Sequence, residues 1–198
     1  MDKLCIKPSF SLLILAIAAL PNLACADEEP TATEAAETEE ILEVPLPRDI
    51  AAFEQIWLTE HNKERARLGL APLVWDAKLA KNAASHAAEM AKTDVYEHAD
   101  QSVTGNDQGE NMWMGTVGFY DGAAMVGSWI DEAKDFEAGT FPKVSKTGNW
   151  TDIGHYTQLI WPATKAVGCA LAGNPRDEYM VCRYYPAGNI LGEKIGVK

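Results

Sequence analysis

Apolar side chains recur every three to four residues in three stretches of the chain, which is the spacing of one helix face. Gly69 closes the first stretch, Asp76 is a candidate N-cap for the second, and the third stretch follows Asp121-Gly122. The pattern therefore predicts helices over residues 49–68, 76–90 and 121–133.

After residue 155 the pattern changes to short runs that are rich in aromatic and β-branched side chains. The runs at 156–161, 166–171 and 179–184 predict strands. Turn residues between the last two predict a hairpin with Cys169 and Cys182 on opposite strands. Helices that precede most of the strands, without regular β-α-β alternation, indicate an α+β domain with an antiparallel sheet.

The chain begins with a basic stretch, a short apolar run and small residues at Ala24 and Ala26. This order is typical of a secretory signal peptide and predicts one over residues 1–26, cleaved after Ala26. The apolar run is shorter than the about 20 residues that a membrane-spanning helix needs, so we expect no transmembrane anchor. Lipidation at Cys25 is an alternative, although Asn22 stands where such sites usually carry Leu. We expect a secreted protein, extracellular or periplasmic.

Residues 27–48 predict a flexible acidic linker, because they carry eight carboxylates and three prolines but no aromatic side chain. A folded domain is then expected over residues 49–198. Acidic side chains outnumber basic ones across the whole chain, 29 to 17, for a formal net charge of −12. This balance argues against nucleic acid as a partner, because phosphate backbones require clustered Lys and Arg. We expect a monomer.

Signal-peptide cleavage would leave two of the four cysteines, Cys169 and Cys182. Two thiols that lie close in sequence in an oxidising compartment suggest a disulfide. The alternative is a pair of buried free thiols.

Four histidines fall in the expected domain. His61 and His86 lie within predicted helices, where a structural role is the default interpretation. His98 follows the second helix in a predicted loop, and His155 precedes a predicted strand. No compact metal motif such as His-Glu-x-x-His is present, so spacing alone does not define a site.

Two long motifs and three short ones carry a resemblance to a known family. The long motifs are Gly154-His-Tyr-Thr-Gln-Leu-Ile-Trp-Pro-Ala-Thr164 and Tyr179-Met-Val-Cys-Arg-Tyr-Tyr-Pro-Ala-Gly-Asn-Ile190. The short ones are His61-Asn-x-x-Arg65, Gly109-Glu-Asn111 and Trp129-x-x-Glu132. Together they resemble the CAP superfamily, which includes cysteine-rich secretory proteins, antigen 5 and pathogenesis-related 1, and the resemblance covers about residues 50–190.

The resemblance implies a three-layer α-β-α sandwich with a central antiparallel sheet. It also implies a cleft that contains His98, Glu110, Glu132 and His155, and a disulfide between Cys169 and Cys182. Some members bind a divalent metal at the paired histidines, so Zn²⁺ is a candidate cofactor held by His98 and His155, with Glu110 and Glu132 as cleft or ligand residues. The chain lacks the cysteine-rich C-terminal module of some relatives, which weakens roles that depend on it.

Several functions remain open at this point. We expect a non-enzymatic protein that binds a metal or a small ligand in the cleft. A metal-dependent hydrolase is the first alternative, because two His and one Glu suit catalytic zinc and the other Glu would serve as general base. A purely structural polar network is another, whereas a serine nucleophile such as Ser102 is disfavoured.

Sterol or fatty-acid binding, as reported in the family, is a further alternative that requires a pocket lined by apolar and aromatic side chains. Trp129 and Trp161 are expected in the core. Phe141 and Trp150 lie in 136–150, a stretch that predicts a loop, and their roles stay open between core and ligand contact.

Overall fold

The computed structural model describes residues 48–100 and 108–196. The predicted signal peptide, the acidic linker up to residue 47 and Ser102 lie outside the described residues, so those interpretations stay predictions. Within the described residues, no helix is both long and apolar enough to cross a membrane.

The first two helices begin at the aspartates that the sequence indicated. Helix α1 (Ile50–Arg67) is capped by Asp49, whose side chain accepts a hydrogen bond from a main-chain N–H of the first turn. It ends just before Gly69, which has a φ of +70° that favours glycine. Asp76 caps helix α2 (Ala77–Thr93) in the same way.

The third helix is shorter than its prediction. Helix α3 (Gly122–Ile130) is capped by Asp121, but at Ile130 the chain tightens into a 3-10 helix, Asp131–Asp135. Glu132 therefore lies in this tighter turn and not in the α-helix that was expected to carry it.

In the described part of the chain, seven strands form two sheets. The central sheet has the order β1-β5-β6-β2, and a smaller sheet has the order β4-β3-β7. The central sheet is antiparallel except for β1, which pairs parallel with β5 over two residues. In chain order the strands are β1 (Val74–Trp75), β2 (Gly109–Thr116), β3 (Phe136–Thr140), β4 (Lys143–Ser145), β5 (Ala166–Gly173), β6 (Asp177–Tyr185) and β7 (Lys194–Ile195).

The predicted hairpin is confirmed. Strands β5 and β6 pair antiparallel, and Cys169 lies directly opposite Cys182 in their register. The two cysteines form the predicted disulfide.

Successive side chains of the central strands point to opposite faces of the sheet, and both faces are buried. One face presents Cys169, Met180, Cys182 and Tyr184 to a core that includes Trp57 of α1 and Trp129 of α3. The opposite face packs Met112, Ala170, Tyr179 and Val181 against Ala83, Ala87 and Met90 of α2. Because helices cover both faces, the domain is the expected three-layer α-β-α sandwich.

The predicted strand at 156–161 is wrong, because Gly154–Leu159 forms helix α4. Its last four residues are all buried, so the segment shows no polar face that would reveal a helical period. A short apolar run is compatible with either a buried strand or a buried helix, and here tertiary packing selects the helix.

The predicted loop at 136–150 is also wrong, because it contains strands β3 and β4. Trp129 and Trp161 are core residues as expected, with 2% and 1% of their surface exposed. Phe141 joins them in the core, whereas Trp150 is 42% exposed.

Candidate functional site

His98 and His155 line one cleft although they come from distant parts of the chain. His98 lies in the segment after α2, which has no regular secondary structure, and His155 lies in the first turn of α4. The cleft has a volume of about 530 Å³ and is also lined by Glu110 at the start of β2. This volume falls within the range of small-molecule sites.

A buried carboxylate fixes the ring of His98. Glu110, whose side chain is 1% exposed, accepts hydrogen bonds at Oε1 from His98 Nδ1 at 2.6 Å and from the main-chain N–H of Ala99 at 3.1 Å. Burial alone would raise the pKa of the Glu110 carboxyl, but the His98 hydrogen bond and the charge of Arg183 outweigh it and hold the pKa below its usual range. Glu110 is therefore a buried anion.

Arg183 supplies the countercharge for this anion. It lies opposite Glu110 in the register of β2 and β6, is fully buried, and places Nη2 2.7 Å from Glu110 Oε2. Its Nε, Nη1 and Nη2 have no hydrogen-bond partner of suitable geometry within the described residues, so the contact is an ion pair. Burial lowers the pKa of Arg183, and Glu110 opposes that shift.

His86 also approaches the same carboxylate. Its Nε2 lies 3.9 Å from Glu110 Oε2 and 2.8 Å from the main-chain oxygen of Glu97. Since a carbonyl oxygen only accepts, Nε2 carries the proton that binds Glu97. His86 therefore contacts the site from outside the cleft, which the sequence interpretation did not anticipate.

Glu132 fixes His155 in a parallel arrangement. Glu132 Oε1 lies 2.6 Å from His155 Nδ1, and Oε2 accepts the main-chain N–H of Tyr156 at 2.9 Å. The indole of Trp129 stacks on the His155 ring with an interplanar angle of 13° and a centroid separation of 5.9 Å. The carboxylate and the indole together define the orientation of the ring.

A buried chain of hydrogen bonds supports the cleft from below. Asn111 Nδ2 donates to the main-chain oxygen of His155 at 2.9 Å and to the Tyr184 hydroxyl at 3.2 Å. The Tyr184 hydroxyl lies 2.7 Å from His61 Nε2, and His61 Nδ1 lies 2.7 Å from the main-chain oxygen of Trp57. Because the Trp57 carbonyl only accepts, Nδ1 of His61 carries its proton and Nε2 accepts from Tyr184.

His61 is therefore the structural residue that the sequence indicated, although it connects to the cleft. Burial lowers the pKa of His61 to about 4, against an opposing contribution from the Trp57 hydrogen bond. The ring is neutral at physiological pH. The sequence did not identify three further site residues, Asn111, Arg183 and Tyr184, although all three lie within the motifs that carried the resemblance.

The geometry leaves one nitrogen of each cleft imidazole for a ligand. Carboxylates accept hydrogen bonds, so Nδ1 of His98 and Nδ1 of His155 carry the protons that bind Glu110 and Glu132. In the neutral ring, Nε2 then keeps its lone pair, and a carboxylate behind a histidine is the usual support of a metal ligand. Within residues 48–100 and 108–196 there is no group of three or more His, Cys, Asp or Glu side chains arranged to hold a metal. Any ion bound by the histidine pair would complete its coordination with water or with a ligand.

Comparison with known proteins assigns the family. The sequence model of the CAP family, described as the cysteine-rich secretory protein family, matches residues 58–184. Pathogenesis-related protein PRMS of Zea mays is 34% identical over 143 residues, which cover 71% of this chain and 80% of that protein. Secreted protein RBT4 of Candida albicans is 35% identical over 144 residues, which cover 71% of this chain but 36% of that protein.

A solved structure agrees with the sequence comparisons. The crystal structure of NaASP2 with Zn²⁺ superposes with a TM-score of 0.59 at 25% sequence identity, over 71% of this chain and 82% of that chain. BmVAL-1 has the same fold, with a TM-score of 0.59 at 22% identity over 76% of this chain and 84% of that one. The chain belongs to the CAP family, as its motifs indicated.

Proposed function

We propose that this chain is a secreted, non-enzymatic CAP-domain protein whose cleft binds a divalent metal ion, Zn²⁺ in the first instance, through Nε2 of His98 and Nε2 of His155. The observation that carries the proposal is that two imidazoles in one cleft are each held at Nδ1 by a carboxylate, at 2.6 Å in both cases. This arrangement fixes the tautomer that a metal requires and increases the basicity of the remaining nitrogen.

The state of the two carboxylates favours binding over turnover. Glu110 is buried beside Arg183 and accepts two hydrogen bonds, and both oxygens of Glu132 accept hydrogen bonds. A general base must take a proton from water within the cleft, whereas the Glu110 carboxylate is ion-paired with the buried Arg183 and Glu132 does not line the cleft. Secretion is supported by the predicted signal peptide and by relatives whose names describe secreted or pathogenesis-related proteins.

The test is a titration of the purified full chain with ZnCl₂ by isothermal calorimetry. We expect saturable binding in the wild type and its loss in the double variant His98→Ala/His155→Ala. The control is Phe119→Ala, which removes an exposed side chain that is not part of the cleft lining. The control should retain the wild-type affinity.

Two results would contradict the proposal. Unchanged zinc affinity in the double variant would place the metal elsewhere, provided that circular dichroism shows the variant folded. Zinc-dependent cleavage of a peptide or ester library that is lost in Glu132→Gln would show that the protein is an enzyme.

A further inference from the structure

One wall of the cleft, which carries Trp150, has no role in the proposed binding of a metal by His98 and His155. All six tryptophans of the chain lie in the described residues, and only Trp150 is exposed, at 42%, on the wall of the cleft. We call this side the Trp150 subsite and define it by Trp150, Thr151, Gln158 and Asn189, which line the same cleft as the two histidines.

Trp150 is supported by a local helical turn and by one contact with a buried ring. Residue Trp150 begins a 3-10 helix, Trp150–Ile153, which is capped by Asn149. The Asn149 side chain accepts a hydrogen bond from the N–H of Thr151 at 3.2 Å and donates one to Asp152 at 3.1 Å. The ring packs edge-to-face on the buried Phe141 at 5.2 Å. An aromatic surface that is already rigid loses little conformational entropy when a ligand covers it.

The rest of the lining combines amide and hydroxyl side chains with glycine, alanine and the Trp150 indole. Among the described residues that line the cleft, all except His98, Glu110 and His155 are neutral. Gln158 is committed to the fold, because its Oε1 accepts the N–H of Gly188 at 2.9 Å. Asn189 donates from Nδ2 to the main-chain oxygen of Gly154, but its buried Oδ1 has no hydrogen-bond partner in the part of the chain that the structure describes. A buried acceptor without a donor is costly, so a small shift of the Asn189 side chain that lets a ligand hydroxyl reach Oδ1 would be stabilising.

We propose that the Trp150 subsite binds a neutral sugar ring of an oligosaccharide, with the C–H face of the ring against the indole and a hydroxyl directed to Asn189 Oδ1. The proposal deepens the binding function assigned above to the same cleft and rests on it. A flat aromatic face beside amide groups matches a ring that is apolar on its face and carries hydroxyls at its edge. A long acyl chain would leave the amides without partners, and the net charge of −12 disfavours anionic glycans.

The test is a binding screen of the purified full chain against immobilised neutral oligosaccharides of glucose, N-acetylglucosamine, mannose, galactose and xylose. Sulfated glycans, uronic-acid glycans and neutral peptides are included on the same surface. Each hit is then measured by calorimetry with EDTA and again with ZnCl₂. We expect at least one neutral oligosaccharide to bind, and Trp150→Ala to weaken it by about tenfold or more.

Two further variants show whether the loss arises at the subsite. Trp150→Phe keeps an aromatic face and should retain part of the affinity. Phe119→Ala removes another exposed aromatic side chain, 76% exposed and not part of the cleft lining, and should bind as the wild type does.

Several outcomes would overturn the sugar proposal. These are no neutral hit in the panel, binding confined to anionic glycans or peptides, or hits whose affinity is equal in Trp150→Ala and the wild type. Parallel zinc and sugar titrations of the wild type separate the two proposals. Zinc binding without binding of any neutral oligosaccharide refutes the sugar subsite alone, whereas sugar binding without zinc binding refutes only the metal assignment.

Discussion

Lowering the pH from 7 to 4 should reduce the free energy of unfolding by about 3 kcal/mol through the protonation of His61. The pKa of His61 is lowered from 6.5 in the unfolded chain to about 4 in the fully buried native site. The unfolded state therefore binds more protons than the native state between these two pKa values. The stability of the native state at this site is therefore complete above pH 6.5, and it is lost as the pH falls from 6.5 through the native pKa of about 4.

The magnitude follows from the difference between the two pKa values, at about 1.36 kcal/mol for each pH unit. The physical cause is burial, because a protonated His61 would donate to both Trp57 and Tyr184 and would place a charge beside the buried Arg65. Tyr184 would then have to turn its hydroxyl proton away from His61.

The assay is urea unfolding of the wild type and of His61→Gln at pH 7 and at pH 4. All other titrating groups are common to both proteins, so the difference between the two pH dependences reports His61 alone. The wild type should lose about 3 kcal/mol more than the variant does. Should His61→Gln fail to fold, an NMR titration of the wild-type His61 ring replaces it. Equal losses in both proteins, or a measured His61 pKa near 6.5, would refute the reasoning.

Two further predictions concern packing and covalent closure of the central sheet. Replacing both Cys169 and Cys182 by alanine should lower the free energy of unfolding by about 3 kcal/mol, because the disulfide closes a loop with a sequence separation of 13. Urea denaturation measures this loss, and an unchanged urea midpoint would contradict the prediction. Gly168→Ala should lower the melting temperature by several degrees, because its Cβ would lie 2.3 Å from the Ala80 nitrogen and 2.4 Å from the Asp76 oxygen. The control is Gly127→Ala, whose Cβ would meet nothing within 4 Å, and equal melting temperatures in both variants would argue against close packing of α2 on β5.

Local chemistry made several elements predictable. The caps at Asp49, Asp76 and Asp121 each act within one helical turn, so the sequence contains all the information needed to locate them. The β5–β6 hairpin is also local, because only the three residues 174–176 separate its strands. Its register then brings Cys169 opposite Cys182.

The candidate site was predictable in part. The family resemblance implied His98, Glu110, Glu132 and His155, and the structure pairs them as His98–Glu110 and His155–Glu132. Their roles as metal ligands and cleft residues stay predictions until zinc binding is measured. The partners behind them were not predictable, since Arg183 meets Glu110 only through the pairing of β2 with β6, across 73 residues of chain.

The sequence by itself determined the helix starts, the hairpin with its disulfide and, through its motifs, the family. These features depend on contacts within one turn or one hairpin, or on residues that the motifs name directly. Only the tertiary structure decided that Gly154–Leu159 is a helix, that Arg183 compensates the buried charge of Glu110, and that Trp150 is exposed while Phe141 is buried. The physical reason is that burial on all sides removes the alternation that distinguishes a helix from a strand, and that countercharge and exposure are set by residues far away in the chain.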